Sequence, residues 1–263
     1  MEKELSDLLF LSEKRKELLL LLNEGEREID EIKKLLPFKS TALLPQLKKL
    51  KDEDLVLQEE KSYRLSAIGK ILVEKMNPLL DLLDVIEADE EFWQERNLEA
   101  VPLALLSRLN EIKPYTLLEP DSNSIFDIPE AFTQNLANSK QILCMFTYFH
   151  PQFPSILLES GVADSEISLL ITETLFERFI NDFEKELKHY LALEKRKLFV
   201  CEDKVQIALL TSTERFMLAG FFGKNNAFDQ KNILSFEPSA LCWAKDLILH
   251  FKKEAREITS LSF

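Results

Sequence analysis

Along the first 75 residues leucine and isoleucine recur at the three- and four-residue spacing of a helix face. Leu5, Leu8, Leu9, Leu19, Leu20 and Leu22, with Ser12 and Lys16 in the same stripe, predict a helix over residues 4–23. Asn23-Glu24-Gly25 ends it, and Gly25 suits a left-handed helix terminus. Ile29, Ile32, Leu35 and Leu36 predict a second helix over residues 27–36. Pro37 stops it, because the residue before a proline is pushed out of the helical region. Leu43, Leu44, Leu47 and Leu50 predict a third helix over residues 40–51, capped by Ser40 or Thr41. Pro45 falls inside it and removes one backbone hydrogen bond, which predicts a tightened or bent first turn. The pattern then changes. Residues 55–59 and 62–65 read as two strands joined at Glu60-Lys61, and Ser66 caps a further helix over residues 67–76.

Helix, helix, turn, helix, hairpin, helix is the order of a winged helix-turn-helix. In that arrangement the third helix enters a DNA major groove and the hairpin, or wing, reaches the backbone beside it. The side chains agree. Thr41, Ala42, Pro45, Gln46, Lys48 and Lys49 lie opposite the leucine stripe. Gln46 suits adenine, directly or through water, and Thr41 suits a thymine methyl or a phosphate. Lys39, Lys48, Lys49 and Lys51 would neutralise phosphates around Ser40, while Lys61, Tyr63 and Arg64 sit on the wing.

Further on, Leu79, Leu80, Leu82, Leu83, Val85 and Ile86, then Leu103, Leu105, Leu106 and Leu109, predict helices over residues 77–113, punctuated by Pro78 and Pro102. A leucine-rich helix in that place is expected to pair with its counterpart in a homodimer, as two-fold operators require. From residue 129 helices and strands alternate. Helices are expected over 129–139, 153–160, 174–193 and from Pro238 to about 256. Strands are expected over 141–149, 166–171, 197–201, 206–211, 215–222 and 233–236. The whole is expected to be a mixed α+β and α/β chain: a winged helix-turn-helix (1–76), a helical connector (77–128) and an α/β sheet domain (129–263).

Charge sharpens this division. The 263 residues carry 33 basic and 46 acidic side chains, net −13. Residues 1–75 hold 15 basic and 16 acidic ones, leaving 18 and 30 for the remainder. Within the near-neutral part, residues 32–51 contain six lysines and no acid, fenced by Asp30-Glu31 and Asp52-Glu53-Asp54. A basic stretch so bounded points to a directed polyanion contact. Glycine, at 5 residues, is too scarce and too scattered for a phosphate-cradling loop, and the 19 phenylalanines are expected mostly in the core of the second domain. Cys144, Cys201 and Cys242 are isolated in apolar stretches and read as buried free thiols. No metal site or cofactor is expected. Neither is catalysis: His250-Phe251-Lys252 has the HxK form of phospholipase D enzymes, but two residues apart on a helix they point in different directions. The longest apolar run, residues 18–22, is short, and Met1-Glu2-Lys3-Glu4 is acidic where a signal peptide is basic, so the expected location is the cytoplasm with no membrane contact.

An effector site is expected where the first strand of the second domain ends. Tyr148 and His150 lie there in an aromatic, proline-stiffened loop, and open α/β sheets bind ligands at such ends. Phe236, Glu237 and Trp243 form a second candidate lining. Rival expectations are a phospholipase-D-like hydrolase and a protein-interaction scaffold, each using the winged helix for protein contact.

Five segments carry a resemblance. Phe-Leu-Ser-Glu-Lys-Arg-Lys (10–16), Ser-Thr-Ala-Leu-Leu-Pro-Gln-Leu-Lys-Lys-Leu (40–50) and Tyr-Arg-Leu-Ser-Ala-Ile-Gly-Lys (63–70) resemble archaeal winged-helix regulators of the ArsR-like class. Phe-His-Pro-Gln-Phe-Pro (149–154) and Ser-Phe-Glu-Pro-Ser-Ala-Leu-Cys-Trp (235–243) resemble the C-terminal part of regulators in methanogenic archaea that carry a methanogenesis regulatory protein domain. The resemblance implies sequence-specific binding to double-stranded DNA, dimerisation and a C-terminal domain whose small-molecule effector it does not identify. It also includes the Leu-Pro-Gln pattern at Pro45.

Overall fold

The computed structural model describes residues 5–120, 130–154, 156 and 165–261. The chain divides into two compact units, Met1–Asp84 and Val85–Phe263.

In the first unit, α1 (Leu5–Phe10) and α2 (Glu13–Asn23) replace the single expected helix. The leucine period runs across both, but Ser12 takes an extended conformation and occupies the position before α2. The carbonyls released at the end of α1 are met by Arg15, whose guanidinium donates to the oxygens of Leu8 (2.6 Å) and Asp7 (2.8 Å). Gly25 follows at φ +150°, and the two-residue strand β1 (Arg27–Glu28) leads into α3 (Ile29–Leu35). Glu28 and Glu31 cap α3 reciprocally, each side chain accepting the other's backbone N–H. Next come α4 (Ser40–Asp52), β2 (Val56–Glu59) and β3 (Ser62–Leu65), with β3 between β1 and β2 in one antiparallel sheet. Pro45 is carried inside α4 on its exposed side, where only the Thr41 carbonyl loses an N–H partner.

The Ser66 hydroxyl caps the last helix of this series, α5 (Ala67–Ala88), by accepting the Gly69 N–H at 2.9 Å. α5 does not end near Met76 but continues through Pro78. Its start is pressed onto the hairpin: the Leu55 carbonyl accepts the Ser66 N–H, and a Cβ on Gly69 would lie 2.1 Å from that oxygen. Leu18, Leu19, Leu22, Ile32, Leu43, Leu47, Leu50, Leu55 and Val73 form the core beneath these elements.

The second unit is built on an eight-stranded mixed sheet. The unit opens with α6 (Glu90–Glu95), α7 (Leu103–Leu106), a 3₁₀ turn at Leu109–Ile112 and the first strand of the sheet, β4 (Thr116–Leu118). After it follow α8 (Glu130–Ala137), β5 (Gln141–Phe146), β6 (Glu166–Thr172), α9 (Glu173–Asp182), α10 (Glu184–Ala192) and β7 (Arg196–Cys201). The chain ends with β8 (Leu209–Thr213), β9 (Met217–Gly220), β10 (Asn232–Ser235), α11 (Pro238–Lys252) and β11 (Arg256–Ile258). The strand order is β11-β7-β6-β5-β8-β9-β10-β4, parallel only among β5, β6 and β7. Side chains from α8, α9 and α10 pack with Ile142, Cys144, Phe146, Leu169 and Leu198 in one core, and α11 lies along β8 and its neighbours. The Ser212 hydroxyl donates to the Leu241 carbonyl on α11.

Several boundaries differ from expectation. β5 stops at Phe146, three residues early; Thr147 still donates its N–H to the Ala208 carbonyl and its hydroxyl to the Ile207 carbonyl, in the segment before β8. β8 lies later than residues 206–211. α11 begins at Pro238 as expected but ends at Lys252, and the chain beyond adds an edge strand. Most of the helix expected over 153–160 lies outside the described residues. Of the phenylalanines assigned to the core, Phe146, Phe176, Phe179, Phe199, Phe216 and Phe221 are buried, Phe149 and Phe183 pack at its margin, but Phe236 is 54 % exposed. It sits in the bend between β10 and α11, with no layer above it.

Replacing Gly69 by alanine should destabilise the first unit by about 1–3 kcal/mol, since the new methyl meets backbone that cannot yield. Chemical denaturation of the full chain, followed by circular dichroism, would register a lowered midpoint.

Candidate nucleic-acid interface

The leucines of α4 set which residues it shows. Leu43, Leu47 and Leu50 are at most 1 % exposed against the core of the first unit. The opposite side presents Thr41, Leu44, Pro45 and Lys48, with Gln46 and Lys49 half-buried at its border. Lys39 is exposed just before the first turn and Ser40 is half-buried. The cap expected from Ser40 or Thr41 is absent: Lys39 holds that position in an extended conformation, so the helix starts one residue early and no side chain caps it. Gln46 is not free-standing. Its Oε1 accepts a third hydrogen bond from the Arg15 guanidinium, at 3.0 Å.

The β2–β3 hairpin is less basic than its sequence suggested. Tyr63 is 8 % exposed and packs in the leucine core, so its ring is not a surface group. It pairs with Arg27 on β1, a two-residue strand that periodicity could not reveal. Arg64 forms an ion pair with Glu59 at 2.6 Å, and the Lys51 ammonium donates to Gln58 Oε1 at 2.5 Å. Lys61 is exposed at the hairpin tip beside Glu60, and Asp52, Glu53, Asp54 and Glu59 are exposed nearby in sequence. Among the described residues Lys39, Lys48 and Lys49 form none of the ion pairs seen, although Asp52 follows Lys48 four residues on along the same helix.

In the second unit Tyr148 and His150 come together after β5. They line a small cavity, about 40 Å³, with Phe132, Phe146, Phe153 and Asn232. That volume exceeds the roughly 10–15 Å³ needed for one water but is small for a drug-sized molecule. Burial pushes the Tyr148 hydroxyl well above its ordinary range, so it stays protonated. His150 is buried, and its Nδ1 accepts the Gln152 N–H. The second candidate lining is not gathered there. Phe236 faces outward, Glu237 precedes the first turn of α11, and Trp243 is buried with its indole N–H donating to the Leu105 carbonyl. Asn232 and Phe132 had no sequence signal, since only strand register and α8 packing bring them to this cavity.

Lys252 lies over the Phe199 ring at 3.8 Å, while His250 is exposed on α11. Among the described residues no group of three His, Cys, Asp or Glu side chains is placed to hold a metal ion, and no helix is long and apolar enough to cross a membrane.

Two domain models of one family match within these two units. Residues 3–84 match the family model of the methanogenesis regulatory protein FilR1 N-terminal domain, and residues 125–254 match that of its middle domain. Together the matches take in most of the chain, which belongs to this family. The methanogenesis regulatory protein FilR1 of Methanothrix harundinacea (strain 6Ac) is 23 % identical over 252 residues; these make up 94 % of the chain but only 56 % of that relative. Among solved structures, TrmBL2, described as an archaeal chromatin protein with a novel mode of DNA binding, is 12 % identical and covered over 93 % of each chain at a TM-score of 0.43. A phospholipase D family member, Nuc from Salmonella typhimurium, is 12 % identical over 56 % of this chain and 99 % of its own, at 0.38. Both scores are too low for either likeness to carry a conclusion.

The cysteines correct the expectation of three buried thiols. Cys144 and Cys201 are buried, which pushes their pKa up to about 12 and about 11, but Cys242 is exposed on α11. A thiol titrating so high holds little thiolate at pH 8. Alkylation of the native chain at that pH should therefore add one label, at Cys242, and denaturation should release all three, as read by intact mass.

Proposed function

We propose that the chain is a DNA-binding transcriptional regulator. Residues 1–76 are a winged helix-turn-helix, and α4 is the helix that enters the major groove. The observation that carries this reading is the surface of α4, where Lys39, Thr41, Gln46, Lys48 and Lys49 stand on the side away from its buried leucines, in a stretch with no acid from residue 32 to 51. The matched family, a regulatory one, agrees. Lys39, Lys48 and Lys49 contact phosphates, Ser40 and Thr41 meet backbone or thymine, and Gln46 meets a base edge. The wing contributes through Lys61, with Arg64 and Lys51 acting from within their own pairs.

The exposed Ile68, Ile71, Leu79 and Leu83 on α5 form an apolar face that a second copy of the chain would cover. The resulting homodimer would present two reading helices to a two-fold operator. The second unit holds the effector, with Tyr148 and His150 lining its cavity.

Fluorescence anisotropy of the full chain on its own promoter DNA, repeated across salt, tests the first claim. Lys48→Ala with Lys49→Ala should weaken binding at least tenfold and flatten the slope of log affinity against log salt by roughly 1.8, about 0.9 per lost phosphate contact. Unchanged affinity and slope would overturn the assignment of α4. For the dimer, Leu79→Glu with Leu83→Glu should convert the sedimenting species to a monomer of 30.6 kDa. A wild-type chain that already sediments as that monomer while bound to DNA would refute it.

A further inference from the structure

We infer that Arg15 orients Gln46 so that it reads a hydrogen-bond acceptor edge, and that the regulator therefore selects guanine over adenine at the base this side chain meets. The inference rests on α4 being the reading helix.

The geometry begins at the break between α1 and α2. Arg15 stands in the first turn of α2, and its guanidinium fills the gap that the break opens. Nε donates to the Leu8 carbonyl at 2.6 Å and Nη2 to the Asp7 carbonyl at 2.8 Å. Two backbone oxygens thus fix the plane of the fork, and its remaining arm, Nη1, donates to Gln46 Oε1 at 3.0 Å. Arginine offers donors and no acceptor. The amide oxygen of Gln46 must therefore face Arg15, and its NH₂ group is left to face the other way. An unsupported glutamine rotates and presents either end; this one presents donors.

In the major groove adenine shows an acceptor, N7, next to a donor, the N6 amino group, and a glutamine reads it by using both ends of its amide. Here the oxygen is already engaged by a cation. Reading adenine would need a second donor on that oxygen, pushed against the positive charge of Arg15. Guanine shows two acceptors side by side, N7 and O6. An outward NH₂ meets them without any change, and the Arg15 charge behind it favours the electronegative edge. Arg15 touches no base in this scheme. It is a positioning residue, and Gln46 is the side chain that reads.

Selection of binding sites by the full-length protein from a randomised operator pool tests this. The wild-type chain should enrich guanine over adenine at one position of each half-site, by about tenfold for one well-made base contact. Gln46→Ala should flatten that position alone. Gln46→Glu should keep the Arg15 contact as an ion pair but present an oxygen outward, moving the preference at the same position to cytosine, whose N4 amino group is a donor. Arg15→Met should free the amide and admit adenine alongside guanine. Since Arg15 also satisfies the end of α1, thermal unfolding of that variant is measured in parallel; if it does not fold, the switch in Gln46→Glu decides. Adenine at the Gln46-dependent position of the wild type would overturn the inference. So would a folded Arg15→Met that still excludes adenine, or selection unaffected by Gln46→Ala and Gln46→Glu. A wild type that enriches a sequence through other residues leaves α4 as reader and removes only this role. A wild type that enriches no sequence removes the reading helix, and this inference with it.

Discussion

The face that α4 shows is decided by the face it buries. Leu43, Leu47 and Leu50 come at three- and four-residue intervals and are almost wholly withdrawn from solvent among Leu18, Leu19 and Leu22 of α2. Turning α4 by one residue position, about 100°, would expose leucine and bury lysine, at a cost of roughly 2 kcal/mol for each leucine brought out. The hairpin is tied to the same core through Leu55, Val56 and Tyr63, and α5 is tied to the hairpin where Gly69 passes the Leu55 carbonyl. Position and rotation of the polar face are thus consequences of apolar packing. The charge on that face needs no interaction of its own to be held in place.

That dependence explains what could be read from the residues alone. Leu43, Leu47 and Leu50 indicated the existence and rotation of α4, with its cap and its end each a residue out; Leu44, expected inward with them, is exposed instead. The change to alternation indicated the hairpin. The Ser66 cap was legible because serine before a helical run has one strong use, accepting a first-turn N–H. The break after α1 was not, because the leucine stripe passes through it unchanged; only Ser12, with its preference for the position before a helix, marked it. Tyr63 was misjudged on residue type, since a phenol suits a phosphate. Its place two residues before Leu65 puts it on the same, core-facing side of β3.

In the second unit, long apolar runs announced β5, β6 and β7, the parallel strands covered on both sides. The short edge strands β4 and β11 gave no signal, since three residues are too few for a period and they lie in polar sequence. Without them the extent of the sheet was invisible. So was the cavity near Tyr148: its lining is gathered from α8, β5, β10 and the segment after β4, and no window of sequence contains it. Trp243, an obvious candidate by residue type, turned out to be held by a hydrogen bond to Leu105 in the core. Residue type alone does not separate an aromatic that lines a site from one that fills a layer.

Acid next to the basic helix has a physical consequence as well. α4 is 13 residues long, about 20 Å, and Asp52, Glu53 and Asp54 stand at and just past its C-terminal end. At physiological salt charges are screened over about 8 Å, less than half that length. The two ends of the helix therefore carry different fields instead of averaging to neutrality. Lys39, before the first turn, lies more than a screening length from that acid, whereas Lys48 and Lys49, four and three residues before Asp52, stand within about 6 Å of it along the axis and share its field. A helix charged evenly along its length would slide along a groove. One fenced at a single end has a polarity: its least compensated cation is Lys39 at the start, and Gln46 with its Arg15 support lies between that end and the acid.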